Sequence, residues 1–339
     1  MSLAVTRVVR RAIALAGAVL VVGIAAAPVA AADPARPTNA RSEVTGIEPP
    51  SSVVRLDVVG GDAFLRIRVD RGHEVVIPGY EDEPYVRVLS DGTVERNERS
   101  PAVYLNENRY GASDRPANAD ASAEPDWREV GKGGTYTWHD HRIHFMGLVN
   151  PVGMNWTVPI VIDGVGTSVV GRLVVVDAPP SWPWWIVAVA ICAGVLFFLR
   201  RFLSRAVAVC AAAVPAVIVA IGELASVPKA AGGSIAPLLA PVCAVVLIGV
   251  AFVLPKSRQS MLAGGGGALA VWTFTRLNTW NHAVLLSGLP AWFERAAAAV
   301  ALGVGAGVFL AVVAVFAGVQ LPWIAQPGSP NQPGACSSK

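Results

Sequence analysis

The spacing of apolar positions changes character three times along the chain. Residues 13–27 form one unbroken apolar run, the region from 53 to 176 alternates with a period of two, and five apolar stretches fill 186–319. In the middle region Leu65, Ile67 and Val69 alternate with Arg66 and Arg68, which places the aliphatic side chains on one strand face and the guanidinium groups on the other. Residues 75–77, 85–89 and 93–96 read as further strands, the last two joined by Ser90-Asp91-Gly92, a sequence suited to a hairpin turn. Trp156, Val158, Ile160 and Ile162 alternate again, and after Asp163-Gly164-Val165-Gly166 the run 169–176 returns as a second hairpin. Short strands at this spacing, with no helix between them, predict an antiparallel β-sandwich of immunoglobulin-like type over residues 51–180. The polar, small-residue stretch 111–127 interrupts it with a composition that favours disorder, and residues 33–50, rich in Pro, Ala, Ser and Thr, read as a flexible leader.

The apolar stretches at about 186–199, 206–225, 235–254, 261–275 and 296–319 predict an all-α transmembrane bundle of about five helices over 183–320. Pro179-Pro180-Ser181-Trp182-Pro183-Trp184-Trp185 marks its start, with prolines ending the last strand and indole rings suited to the membrane interface. The fourth stretch is the weakest, because Gly264 to Gly267 lower its helix propensity. Arg7, Arg10 and Arg11 before the run at 13–27, with Ala30-Ala31-Ala32 after it, read as a cleavable export signal over 1–32. Arg200, Arg201 and Arg205 follow the first span, and Lys256 with Arg258 follow the third. The positive-inside rule therefore puts both connections in the cytoplasm, the β-domain outside and a disordered tail at 321–339 inside.

Composition agrees with this division. A chain of 339 residues that is 53% hydrophobic and 15% charged is too apolar for one soluble domain. Residues 33–182 carry 15 basic against 22 acidic side chains, a net of −7, while 183–339 carry 9 against 2, a net of +7. An acidic exported domain is a poor match for a nucleic-acid backbone, and the partners expected are the lipid bilayer, cations and another envelope protein. The four cysteines, at 192, 210, 243 and 336, all lie outside 33–182, so that domain has to fold on an apolar core without disulfides. No nucleophile elbow, phosphate loop, dinucleotide fingerprint or zinc-protease motif is present, and no enzymatic activity is expected.

Chemistry concentrates in Trp138-His139-Asp140-His141-Arg142-Ile143-His144-Phe145-Met146-Gly147, which holds three of the five histidines of the chain. His139, His141 and His144 are candidate ligands for a copper or zinc ion, since neutral imidazoles suit both and positions i and i+2 of a strand share a face. His144 joins them only if the chain turns or bulges after Arg142. Met146 adds a soft atom that would favour copper. The alternative is structural: His, Asp and Arg side chains form a hydrogen-bonded network that holds the neighbouring loop to the sheet, with Asp140 and Arg142 reaching Glu107 or Arg109. A recognition surface for another protein is the third reading. In the membrane half Glu223, Arg276, Glu294 and Arg295 all fall at the outer edge, as interfacial anchors do, and Asn278, Trp280, Asn281 and His282 lie where they can face the β-domain.

The run Pro101 to Gly111 (PAVYLNENRYG), followed by Trp138 to Met146 (WHDHRIHFM), resembles a group of membrane proteins of high-GC Gram-positive bacteria. The resemblance covers most of the chain. It implies the exported β-domain and about five helices and assigns no catalytic or binding residue. A looser similarity links the architecture to copper-resistance proteins in which an exported β-domain precedes a multi-span domain. Here Asp33 and not His follows the cleavage site, and the spans lack repeated histidines. The sequence thus points to metal handling in the envelope or to a non-enzymatic scaffold on the same platform.

Overall fold

The computed structural model describes residues 34–107, 115–145 and 153–318. The export signal, Arg109, Met146 and the tail lie outside these residues. Among the described residues the N-terminal part forms ten strands in two antiparallel sheets. The larger follows the order β1-β10-β9-β4-β5-β6-β7, with β1 Ala40–Glu48, β4 Val75–Pro78, β5 Pro84–Val88, β6 Val94–Asn97, β7 Trp127–Gly131, β9 Met154–Ile162 and β10 Val165–Val175. The smaller is β2-β3-β8, formed by Val54–Val59, Phe64–Val69 and Thr135–His139. Both expected hairpins form. Asp163 (φ 49°) and Gly164 (φ 80°) make the β9–β10 turn by themselves, so that Ile162 already pairs with Val165. Leu65 and Ile67 are fully buried, while Arg66 and Arg68 reach across the outer face to Asp57 of the paired strand. Buried side chains of both sheets, among them Val54, Leu65 and Ile67 with Val86, Val158 and Val169, form one apolar cluster.

Three expectations need correction. Residues 40–48, expected within a flexible leader, form β1 along β10. The Pro, Ala, Ser and Thr content of 33–50 as a whole hides an alternation in which Ala40 and Ser42 are buried, and β10 offers a free edge beyond β9. The region is also not free of helix, since Ser100 caps a short helix, α1 (Pro101–Leu105), with its side chain accepting from the Ala102 N–H. Finally, seven and three strands differ from the four-plus-three or five-plus-four division of immunoglobulin domains.

The C-terminal part is helical: α2 Trp182–Phe198, α3 Phe202–Ser226, α4 Ala236–Val253, α5 Arg258–Phe274 and α6 Ala291–Phe316. Among the described residues three of these, α3, α4 and α6, are long and apolar enough to cross a membrane, whereas α2 is a shorter apolar helix of 17 residues. Five spans were expected; five helices form and three have the dimensions of a span on their own. The central α6 packs on α2, α3 and α5 through small residues. A Cβ on Gly303 would lie 2.6 Å from the Ala188 carbonyl oxygen of α2, and one on Gly305 2.6 Å from that of Gly266 in α5. The glycines that weaken the helical signal of 264–267 thus set a close helix–helix approach.

Arg205 donates to the Leu199 carbonyl after α2, and Arg258 to the Ala251 carbonyl near the end of α4. Each guanidinium group thus reaches back to the C-terminal end of the preceding helix, where cations are favoured. At the other end of the bundle the chain before β1 is tied down. Ala35 N–H donates to Ala231 O (3.0 Å), Thr38 and Val284 exchange two backbone hydrogen bonds (3.1 and 2.9 Å), and Ala283 N–H donates to the Asn39 side chain (2.8 Å). Ala35, Val59, Ala63 and Phe64 then pack with Val227, Ala231 and Leu286. Asn278, Trp280, Asn281 and His282, expected to face the β-domain, do not supply these contacts; the neighbouring residues 283, 284 and 286 do. Trp280 turns into the bundle, edge-on to Trp185 at 4.9 Å and donating to Arg295 O.

Candidate functional site

The three histidines do meet, by a different route from two positions on one strand face. His139 is the last residue of β8, opposite Phe64 of β3. Asp140 then ends the strand, because its carboxylate accepts from the Arg142 N–H and caps a single 3₁₀ turn over His141–Ile143. That turn drives Ile143 into the core, fully buried, and folds His144 back over His139. The ring centroids of His139 and His144 are 4.1 Å apart, and His141 stands 5.8 Å from each.

The tautomers follow from the neighbours. His139 Nδ1 lies 2.6 Å from the Ala63 carbonyl oxygen, which can only accept, so Nδ1 carries a proton and Nε2 of a neutral ring keeps its lone pair. His144 Nε2 is 3.2 Å from that His139 Nε2 and 2.7 Å from Nδ1. The other nitrogen of His144 faces the fully buried Asp62 carboxylate at 4.0 Å. Two imidazoles thus stand edge to face, with a buried carboxylate near the second. Two nitrogens bound to one tetrahedral ion sit about 3.3 Å apart, close to the 3.2 Å between the two Nε2 atoms. Among the described residues, however, no group of three or more His, Cys, Asp or Glu is arranged to hold a metal ion. Asp62 was missed by the sequence reading. Gly60-Gly61, both at positive φ, mark its turn, but nothing distinguishes it from the other acidic residues of the domain.

Around the histidines lies a polar network. Asp140, fully buried, accepts two bonds from the Arg142 guanidinium (2.9 and 2.7 Å) and one from Trp138 Nε1 (2.8 Å). Arg142 lies over the Tyr80 ring at 5.0 Å. The Tyr80 hydroxyl donates to Asn106 Oδ1 (2.6 Å) and accepts from the His141 N–H (3.0 Å). Burial, with the Asp140 charge second, holds the Tyr80 phenol far above its ordinary pKa, so it remains a neutral donor. Burial alone would lower the Arg142 pKa, but the hydrogen bonds and charge of Asp140 outweigh it and the net shift is upward. Asn106 closes α1, so the two separated sequence runs, 101–111 and 138–146, meet at Tyr80. The expected partner Glu107 takes no part in the Asp140–Arg142 pair, which satisfies itself. On its other side His139 stacks on Phe64 at 4.9 Å and borders a cavity of about 520 Å³ that extends to Lys229 in the α3–α4 connection. No protein family, curated protein or solved structure matches the chain.

Proposed function

We propose that the protein is a multi-pass cell-membrane protein whose exported β-sandwich platform binds a transition-metal ion, copper before zinc, at His139, His141 and His144. It would act in envelope metal handling. The observation that carries this reading is the approach of the His139 and His144 Nε2 atoms to 3.2 Å, with the Ala63 carbonyl oxygen on the other nitrogen of His139, the Asp62 carboxylate 4.0 Å from that of His144, and His141 alongside. Metal-bound histidines are commonly held in this way by a carbonyl or carboxylate. The half-buried His141 ring would supply the third nitrogen by turning about χ1 toward the pair.

A second reading rests on a separate observation, the chain of contacts from Trp138 through Asp140, Arg142 and Tyr80 to Asn106. In this reading the stretch fixes loops at the seam of the two sheets, and the domain serves as a non-enzymatic scaffold or interaction module for another envelope protein. Titration of the full-length protein in neutral detergent with Cu(II) and Zn(II) separates the two. Metal handling requires a dissociation constant tighter than about 10 μM, lost when His139, His141 and His144 are changed to Ala. A stability loss on His-to-Ala change, without metal affinity in the parent protein, supports the scaffold.

The orientation that places the β-domain outside is part of the same proposal. It is supported by the basic connections at 199–201 and 254–258, which close the end of the bundle opposite to the one that meets the β-domain.

A further inference from the structure

The charged side chains of the helical bundle lie in two layers. At the end that meets the β-domain, Arg276, just after α5, pairs with Glu223 of α3 and lies 3.7 Å from Glu294 of α6, so three helices bring their charges to one level. At the other end Arg200 and Arg201 follow α2, Arg205 of α3 donates to the Leu199 carbonyl, and Arg258 of α5 donates to the Ala251 carbonyl of α4. Between the layers the sequence holds no Asp, Glu, Lys or Arg in 182–199, 206–222, 236–253 or 259–275.

The spacing of the layers repeats from helix to helix. Eighteen positions separate Arg205 from Glu223 along α3, and eighteen separate Arg258 from Arg276 across α5. At the helical rise per residue both intervals span about 27 Å. α4 has 18 residues and α2 has 17, which gives lengths of about 25–27 Å. The longer α6 runs beside α2 in the same direction, Gly303 against Ala188 and Gly307 against Cys192, and begins its apolar length only after Glu294 and Arg295. The outward faces between the layers are apolar, with Val189 of α2, Val207 and Val214 of α3 and Val246 of α4 all more than half exposed. Trp182, 64% exposed, stands at the outer boundary, where indole rings are favoured. Little slack exists on that side. Val227, four residues past Glu223, already belongs to the apolar seam with Ala63 and Phe64 of the β-domain, so a thicker bilayer would have to cover the seam.

A typical hydrocarbon core is about 30 Å thick, and each ångström of mismatch with a protein carries an energy cost. We propose that the bundle is fitted to a thin bilayer, with a hydrocarbon core of about 27 Å, and selects phospholipids with shorter acyl chains as the layer in contact with it. The proposal rests on the membrane-spanning reading above and adds the kind of lipid surface that the outward faces of α2, α3 and α4 fit. In a membrane of longer chains the lipid beside the protein has to compress, and exchange for shorter chains relieves this.

The test is reconstitution of the full-length protein into phosphatidylcholine vesicles with monounsaturated chains of 14, 16, 18, 20 or 22 carbons, since chain length sets the hydrocarbon thickness. Each is mixed with brominated dioleoylphosphatidylcholine, whose bromine atoms quench the tryptophans that touch lipid. Competition between the two lipids then reads the relative affinity for each chain length. The expected result is strongest binding at 18 carbons or fewer, and binding about threefold weaker at 22. Equal binding at all lengths, or a maximum at 20 or 22 carbons, overturns the proposal. Absence of any quenching by the brominated lipid overturns the membrane-spanning reading itself, and the proposal with it.

Discussion

Two aspartates of the β-domain show how differently one charge acts in two settings. Asp140 is fully buried and accepts from Arg142 and Trp138. Removing its charge as Asp140→Asn leaves a guanidinium with 19% exposure and no counter-ion, and should cost roughly 3 kcal/mol. Asp57→Asn, at a pair whose carboxylate is 38% exposed, should cost less than about 1 kcal/mol. Urea unfolding of the full-length variants, followed by the strand signal in circular dichroism, checks the contrast. Asp163 supplies a pH dependence. The Glu74 N–H and then the His73 side chain hold its carboxyl below the ordinary 3.8. A depressed carboxylate stabilises the fold fully above its unfolded pKa, and the contribution is lost as pH falls through the folded value. The difference in unfolding temperature between the parent and Asp163→Asn should therefore be complete at neutral pH and vanish in acid. Asn accepts the positive φ of this turn, so the substitution removes the charge and keeps the hairpin.

Strands with regular alternation, such as 65–69 and 156–162, were legible because one sheet face is buried and the other wet. β1 was not, since its buried residues are Ala and Ser and its stability comes from pairing with β10, a partner more than a hundred residues away. The glycine-rich helix failed to stand out for the opposite reason. Propensity scores Gly264 to Gly267 as a defect, whereas the missing side chain of Gly266 permits the approach of α6 and that of Gly265 the approach of α4. Gly266→Val should force α5 from α6, because even a Cβ there would come within 2.7 Å of the Gly305 carbonyl oxygen. A loss of about 1–3 kcal/mol follows from overpacking. It should be seen as a lower thermal midpoint in detergent, with Gly194→Val, which faces open space, as the neutral control.

The convergence of the histidines depended on a local signal with a non-local outcome. Asp140 is a recognisable capping residue, yet the partners that complete the site, Ala63 and Asp62, arrive from the β2–β3 turn, and no spacing in the chain announces them. The same turn touches the bundle, since Ala63 and Phe64 belong to the apolar seam with Val227, Ala231 and Leu286, and Phe64 stacks on His139. A change at the histidines therefore has a short packed path to the helices. That path requires the β-domain to be seated on the bundle, and the Thr38–Val284 bridge is its most specific element. With Cys192, Cys210, Cys243 and Cys336 replaced by Ser, the pair Thr38→Cys and Val284→Cys should form a disulfide on mild oxidation of the full-length protein. Facing residues of an antiparallel bridge bring their Cα atoms to about 4.5–5.5 Å, within disulfide reach. Faster migration on a non-reducing gel, absent for Thr38→Cys with Thr45→Cys, is the expected outcome. Failure to cross-link would separate the two halves and, with them, the route from the histidines to the membrane.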